Sequence, residues 1–62
     1  LGLSHFELKK YAEAIRDYSK TIELDATLVQ PYRSRAEAYM AIGKQKEAEA
    51  DLAKAKQLEK SN

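Results

Sequence analysis

The chain has 62 residues, with 11 Lys and Arg against 10 Asp and Glu, so it has room for one small core and its charge is nearly balanced. The charges are spread along the chain, which gives no electrostatic footprint for nucleic acid, and we predict no such partner. Cysteine is absent, His5 is the single histidine, and no apolar run approaches a membrane span, which excludes disulfides, a His and Cys zinc site and a membrane partner.

Hydrophobic spacing predicts an all-α chain. Tyr11, Ala14 and Tyr18 follow one another at the spacing of one helical face. Leu8 marks the end of a preceding helix, and Lys9 lies at the turn between the two, so this turn must form without glycine. The predicted helices number four and cover residues 1 to 8, 11 to 24, 29 to 42 and 45 to 59.

Local signals set the boundaries in the second half of the chain. Thr27 followed by Gln30 resembles a capping box, and Pro31 suits only the first turn of a helix because it lacks an N–H group. The third helix should therefore begin near Leu28 or the residue after it. Gly43 can adopt the left-handed conformation that ends a helix, so we expect the third helix to stop there.

The chain repeats itself at a shift of 34 residues. Six of the 28 pairs compared are identical, among them Glu13 with Glu47 and Ala14 with Ala48. A period of this length is typical of stacked helical hairpins. We predict a first repeat over residues 1 to 27 and a second over residues 28 to 62.

These residues resemble the tetratricopeptide repeat, a helix-turn-helix unit that stacks into an α-solenoid. The stretch from Tyr11 to Asp25 is similar to the second helix of such a unit. One departure is Arg35, which stands where the family prefers a large apolar residue; we expect its stem to lie along the helices and its head to reach water. Small residues at matching positions should allow close helix packing. They are Gly2, Ala14, Ala36, Ala48 and Ala55.

The resemblance implies a concave groove, lined by the first helix of each repeat, that binds a peptide. Leu3, Phe6 and Met40 are predicted to form an apolar strip in it, although Phe6 and Met40 could instead pack between the repeats. Arg33 and Glu37 could pair with each other or with a ligand. The full set placed there by position is Leu3, Phe6, Glu7, Gln30, Arg33, Glu37 and Met40, with Ala41 beside it.

The implied function is a scaffold that binds a protein or peptide partner, with no enzyme activity and no cofactor or metal. His5 matches Tyr39 of the second repeat, so we expect a packed ring there and not a general base. Gln30 and Ser34 occupy positions that carry basic residues in the subclass that clamps a terminal carboxylate, which argues against such a clamp. The lack of a long apolar run predicts a soluble protein, and the lack of cysteine favours the cytoplasm.

Two alternatives stay open. Solenoid repeats bury both faces only with neighbours, about three repeats being the usual minimum, and fewer than two are present, so the chain could self-associate by stacking or helix exchange. The chain begins at Leu1 and lacks an initiating Met, which suggests a fragment of a longer protein or a deliberately trimmed chain. Nucleic-acid binding is the weaker alternative and would use lysines of the second half, namely Lys44, Lys46, Lys54, Lys56 and Lys60.

Overall fold

Three α-helices make up the part of the chain, residues 2 to 61, that the computed structural model describes. Helix α1 covers His5–Leu24, α2 covers Val29–Ala41 and α3 covers Gln45–Ser61. The turns between them are short, so successive helices run antiparallel. Helix α2 lies in the middle and packs against α1 on one side and α3 on the other. The all-α prediction is confirmed, whereas the count of four helices is wrong.

The difference lies in α1, which fuses the two predicted helices into one. The helix begins at a capping box in which the hydroxyl of Ser4 accepts from the N–H of Glu7 at 3.2 Å and the Glu7 carboxylate accepts from the N–H of Ser4 at 3.4 Å. From there the sequence runs through Leu8 and Lys9, which are good helix formers. The predicted turn at Lys9 is therefore wrong, because the local sequence offers neither glycine nor proline to stop the helix.

The connection between α1 and α2 is built on a side-chain turn. Helix α2 begins where Pro31 predicts, but its N-cap is Leu28, which makes no side-chain capping bond, so the predicted capping box of Thr27 and Gln30 is wrong. Thr27 instead donates to Asp25 Oδ1 from its hydroxyl at 2.6 Å and from its N–H at 3.0 Å. Both bonds lower the pKa of the Asp25 carboxyl, and the bond from the Thr27 hydroxyl has the larger effect.

The connection between α2 and α3 closes on Gly43, as predicted. Its φ of 81° lies in the left-handed region, which residues with a β-carbon adopt at a cost. The N–H of Gly43 donates to the carbonyl of Met40 at 3.1 Å, and the N–H of Lys44 donates to the carbonyl of Tyr39 at 2.8 Å. The last carbonyls of α2 are thereby satisfied and the chain reverses into α3.

The best packed part of the molecule lies between α2 and α3. Ala36, Ala48 and Ala55 are buried to an exposed fraction of 1 % or less, which confirms that small residues bring these two helices together. Gly2 is exposed, and a β-carbon there would meet nothing within 4 Å, so its predicted packing role is wrong. Helix α1 contains no buried residue at all.

Candidate protein-interaction groove

Helices α1 and α2 form the walls of an open groove, here called the α1–α2 groove. Tyr18 and Ser34 lie at its middle and border both ends. The Tyr11 end has a volume of about 360 Å³ and is lined by Lys10, Tyr11 and Ala14 of α1 and by Glu37, Ala38 and Ala41 of α2. The Pro31 end has a volume of about 530 Å³ and is lined by Thr21, Leu28, Val29, Gln30 and Pro31.

The Pro31 end combines an apolar floor with polar groups at its rim. Leu28 keeps 43 % of its surface exposed beside the buried Pro31, so an apolar ligand side chain placed against Leu28 would remove apolar surface from water. Within residues 2 to 61, neither the Gln30 amide nor the Ser34 hydroxyl makes a hydrogen bond to another protein group. Both groups are therefore available to a bound peptide backbone.

The predicted groove residues of α2 share one face of that helix. Gln30, Arg33, Glu37 and Met40 are all exposed, and we call them the α2 stripe. Gln30 borders the Pro31 end of the groove and Glu37 the Tyr11 end. Arg33 forms an ion pair with Glu59 of α3 and not with Glu37. The stripe therefore presents the carboxylate of Glu37 as its one charge without an ion-pair partner among the described residues.

The predicted residues of the N-terminal segment lie apart from this stripe. Glu7 is engaged in the cap of α1, and Leu3 is half-buried. Phe6 is 78 % exposed, and the depression beside it is lined only by α1 residues, so the structure does not bring Phe6 and Met40 together. Met40 is 51 % exposed, so neither residue packs between helices here. The role of these residues in binding stays a prediction.

His5 also departs from its expected environment. It is the first residue of α1 and is exposed, whereas Tyr39 at the matching position of the second repeat is half-buried. The expectation of a packed ring at His5 is therefore wrong in this structure. The cause is the straight α1, which carries His5 away from the face on which its counterpart packs.

Sequence reasoning missed the polar cluster behind the groove, which is centred on Arg35. Its Nε and Nη2 donate to the two carboxylate oxygens of Asp51 at 2.7 and 2.6 Å, and its Nη1 donates to the hydroxyl of Ser19 at 3.0 Å. The side chains of Arg35 and Asp51 are only 19 % and 7 % exposed. The guanidinium carbon lies 5.8 Å from the ring centres of both Tyr32 and Tyr39. The expectation that the Arg35 head reaches water is wrong.

This cluster joins all three helices through one side chain. Ser19 belongs to α1, Arg35 to α2 and Asp51 to α3. The hydrogen bonds to Asp51 raise the pKa of the Arg35 guanidinium, so its charge is constant. A bidentate pair fixes both distance and angle. The cluster therefore restrains rotation of α2 about its own axis. It thereby also sets the direction in which the α2 stripe faces.

Comparison with known protein families shows which family has this sequence pattern. Residues 2 to 43 match a family described as "TPR repeat", and residues 30 to 62 match one described as "Tetratricopeptide repeat". The chain belongs to the tetratricopeptide-repeat family. The resemblance drawn from its period and its small residues is thus confirmed, and the chain is a helical repeat of a protein-interaction family.

One curated relative sets this tetratricopeptide-repeat chain in a larger context. It is the "DnaJ homolog subfamily C member 7 homolog" of Schizosaccharomyces pombe, which is 44 % identical over 59 residues. The match takes in 92 % of this chain but only 12 % of the relative, so the chain spans a small part of that protein. No solved structure matches the chain significantly. None of the described helices is long and apolar enough to cross a membrane.

Proposed function

We propose that this tetratricopeptide-repeat chain is a scaffold that holds a peptide segment of a partner protein in the Pro31 end of the α1–α2 groove and along the α2 stripe. The observation that supports it most is the pairing of an open apolar depression with the unengaged polar groups of Gln30 and Ser34. Such sites gain affinity from apolar burial and orientation from a few polar groups.

The charges of the stripe suggest what kind of peptide fits. Arg33 pairs with Glu59 and Arg35 with Asp51, so both arginines already have a carboxylate partner that an acidic ligand would have to displace. Glu37 lies about two helical turns from Gln30 along α2. We therefore expect a segment with an apolar side chain for the Pro31 end and a basic side chain about two helical turns away.

The named relative suggests how the parent protein uses this segment. The relative is a DnaJ homolog, and the match covers only 12 % of its length. We propose that the parent of this chain is likewise a larger, DnaJ-related protein in which the repeat brings a client or partner to the rest of the molecule. Capture of partner proteins by the full-length parent tests this proposal. A parent that lacks the segment corresponding to this chain should no longer capture the partner.

Selection of binding peptides followed by a groove-filling variant tests the site itself. Peptides chosen from a displayed random library against the chain should bind Ser34→Arg about tenfold more weakly or worse, because the long side chain fills the middle of the groove. Isothermal titration calorimetry measures the affinity, and circular dichroism verifies that the variant remains helical.

Ala53→Arg is the matched control, because Ala53 is exposed on α3, away from the groove. This variant should bind the selected peptides as the unmodified chain does. Glu37→Lys should in addition remove the preference for peptides with a basic residue. Equal affinity of the Ser34→Arg and Ala53→Arg variants would show that the peptides bind elsewhere.

A further inference from the structure

The two tyrosines of α1 have the same spacing as the two tyrosines of α2. Tyr11 and Tyr18 are seven residues apart in α1, and Tyr32 and Tyr39 are seven residues apart in α2. Seven residues make about two helical turns, so each pair lies on one face of its helix with the α-carbons roughly 10 Å apart. A small cation between two such rings can therefore contact both.

In α2 the chain itself fills the space between the rings. The guanidinium carbon of Arg35 lies 5.8 Å from the ring centres of both Tyr32 and Tyr39. Asp51 of α3 supplies the opposite charge, and Ser19 of α1 supplies a hydroxyl that accepts a hydrogen bond. The cluster behind the groove is therefore an arginine site made of two rings, one carboxylate and one hydroxyl.

The tyrosine pair of α1 has no arginine of its own. Ala14 stands three residues after Tyr11, and the matching position of the α2 pair, three residues after its first tyrosine, is Arg35. Tyr11, Ala14 and Tyr18 line the Tyr11 end of the α1–α2 groove, which has a volume of about 360 Å³. Within residues 2 to 61, no lysine or arginine lies over either ring of this pair. The small side chain of Ala14 thus leaves open the space that a guanidinium fills in α2.

The facing wall of α2 supplies the other two groups of such a site. Glu37 lines the Tyr11 end, and its exposed carboxylate has no ion-pair partner among the described residues. Ser34 belongs to the same lining, and its hydroxyl makes no hydrogen bond to another protein group in the described part of the chain. The Tyr11 end therefore has the groups that surround Arg35, namely two rings, one carboxylate and one hydroxyl, without the guanidinium.

We propose that the Tyr11 end binds an arginine side chain of the partner peptide, which lies between Tyr11 and Tyr18 as Arg35 lies between its own two tyrosines. The guanidinium contacts both rings and donates two hydrogen bonds to the carboxylate of Glu37. This inference rests on the scaffold function proposed above, and it specifies which basic side chain that scaffold selects and where the side chain binds.

The chemistry of the site favours arginine over lysine. A guanidinium is planar and weakly hydrated, so it stacks on tyrosine rings and pairs with a carboxylate through two parallel hydrogen bonds, whereas an ammonium group is compact and strongly hydrated. Glu37 is exposed and Asp51 is buried, so water screens the charge of Glu37 more and the affinity for arginine alone is low. The site therefore selects among peptides that the rest of the groove already binds.

One charge at the Tyr11 end opposes a bound cation. Lys10 belongs to the lining and is exposed. Like charges repel, and water weakens the repulsion at an exposed position. Lys10→Gln should therefore raise the affinity for an arginine side chain about twofold, whereas Lys9→Gln, which removes a neighbouring charge outside this lining, should change it less.

Small probes test the site without any peptide. On titration with N-acetylarginine amide, the NMR signals of the Tyr11 and Tyr18 rings should shift, with a roughly millimolar dissociation constant. N-acetylcitrulline amide is the matched control, because citrulline has nearly the shape of arginine but no charge, and it should shift these signals little. N-acetyllysine amide, with a free side-chain ammonium group, should bind about threefold more weakly than the arginine probe.

Variants of the site provide the second test. Glu37→Gln should weaken binding of the arginine probe about threefold to tenfold, because the rings remain while the opposite charge is lost. Glu47→Gln is the matched control, since Glu47 is exposed on α3, outside the lining of the groove. Tyr18→Leu should also weaken binding, whereas Tyr18→Phe, which keeps the face of the ring, should bind the probe nearly as the unmodified chain does.

Equal shifts with the arginine and citrulline probes, or equal affinities of the Glu37→Gln and Glu47→Gln variants, would overturn the arginine site. This failure is distinct from failure of the scaffold. If selected peptides lose affinity in the Ser34→Arg variant but bind equally well when their arginine is replaced by citrulline, the arginine site alone is refuted. If the chain binds the arginine probe but selects no peptide, the scaffold alone is refuted.

Discussion

Arg35 is the residue on which most of the polar structure depends. It stands at a position where the family resemblance implies an apolar side chain, yet most of its side chain is shielded from water, because three of its N–H groups donate to Asp51 and Ser19. Burial of two charges costs free energy that the pair recovers only with good geometry and complete hydrogen bonding. The bidentate contact provides this geometry. The main effect of the cluster is therefore to fix how the three helices pack, and its net contribution to stability is small.

Removal of one partner should be far more harmful than removal of both. We expect Asp51→Ala to lower the free energy of unfolding by about 2 to 3 kcal/mol, because the half-buried guanidinium of Arg35 loses its counterion and two hydrogen bonds. The double variant Arg35→Leu with Asp51→Leu should lie within about 1 kcal/mol of the unmodified chain, because apolar side chains can replace a buried pair. Urea titration at low temperature measures the free energy of unfolding of both variants. Equal losses in the two variants would mean that the cluster acts through packing alone.

At the level of the helices, one position decides whether the chain bends. Gly43 and Lys9 occupy the same place in the 34-residue period, and the chain reverses at the first and continues straight through the second. A β-carbon disfavours the left-handed backbone that the reversal requires. The α2–α3 hairpin is thus a closed repeat, whereas α1 is a straight helix whose apolar face is only partly covered, by α2.

Gly43→Ala should destabilise the chain by about 1 to 2 kcal/mol, because alanine must adopt the left-handed conformation in the folded state. Gly2→Ala is the matched control. Gly2 also has a positive φ, of 71°, but it precedes the N-cap of α1, so its backbone can leave the left-handed region without disturbing a helix. Its substitution should leave the unfolding midpoint unchanged. If both variants unfold at the midpoint of the unmodified chain, the turn does not depend on the φ of Gly43.

At the scale of the whole molecule, the three helices differ in how deeply they are buried, and this gives a grading of local stability. The molecule measures 39 by 21 by 12 Å, so it is thin and α2 alone is covered on two sides. Helix α2 holds the buried Tyr32, Ala36 and Ala38, while α1 has no buried residue. Regions with few buried contacts open with a smaller free energy. The stability of α1 should therefore depend on what covers its groove.

Hydrogen exchange should report this grading. Amides of residues 5 to 10 should exchange first and those of residues 32 to 38 last, because only the latter lie between two helices. Mass spectrometry of the labelled chain measures the exchange at each segment. Uniform protection in all three helices would contradict the grading.

The amino-acid sequence by itself determined the helical class, the period, the family and the reversal at Gly43. These properties are local or periodic, and each depends on residue type and spacing alone. It also singled out the α2 stripe, because residues three and four apart must share a helical face. The boundary between the repeats at residues 27 and 28 lies in the turn after α1 and remains a prediction.

Only the tertiary structure decided the rest. Spacing could not show that Arg35 turns inward, because that depends on Asp51 and Ser19 arriving from two other helices. Nor could the 34-residue period show that α1 runs straight through Lys9. The period shows which residues match between the two repeats, but not whether the backbone reverses between them. The open groove between α1 and α2, and the peptide site proposed in it, follow from that single unbroken helix.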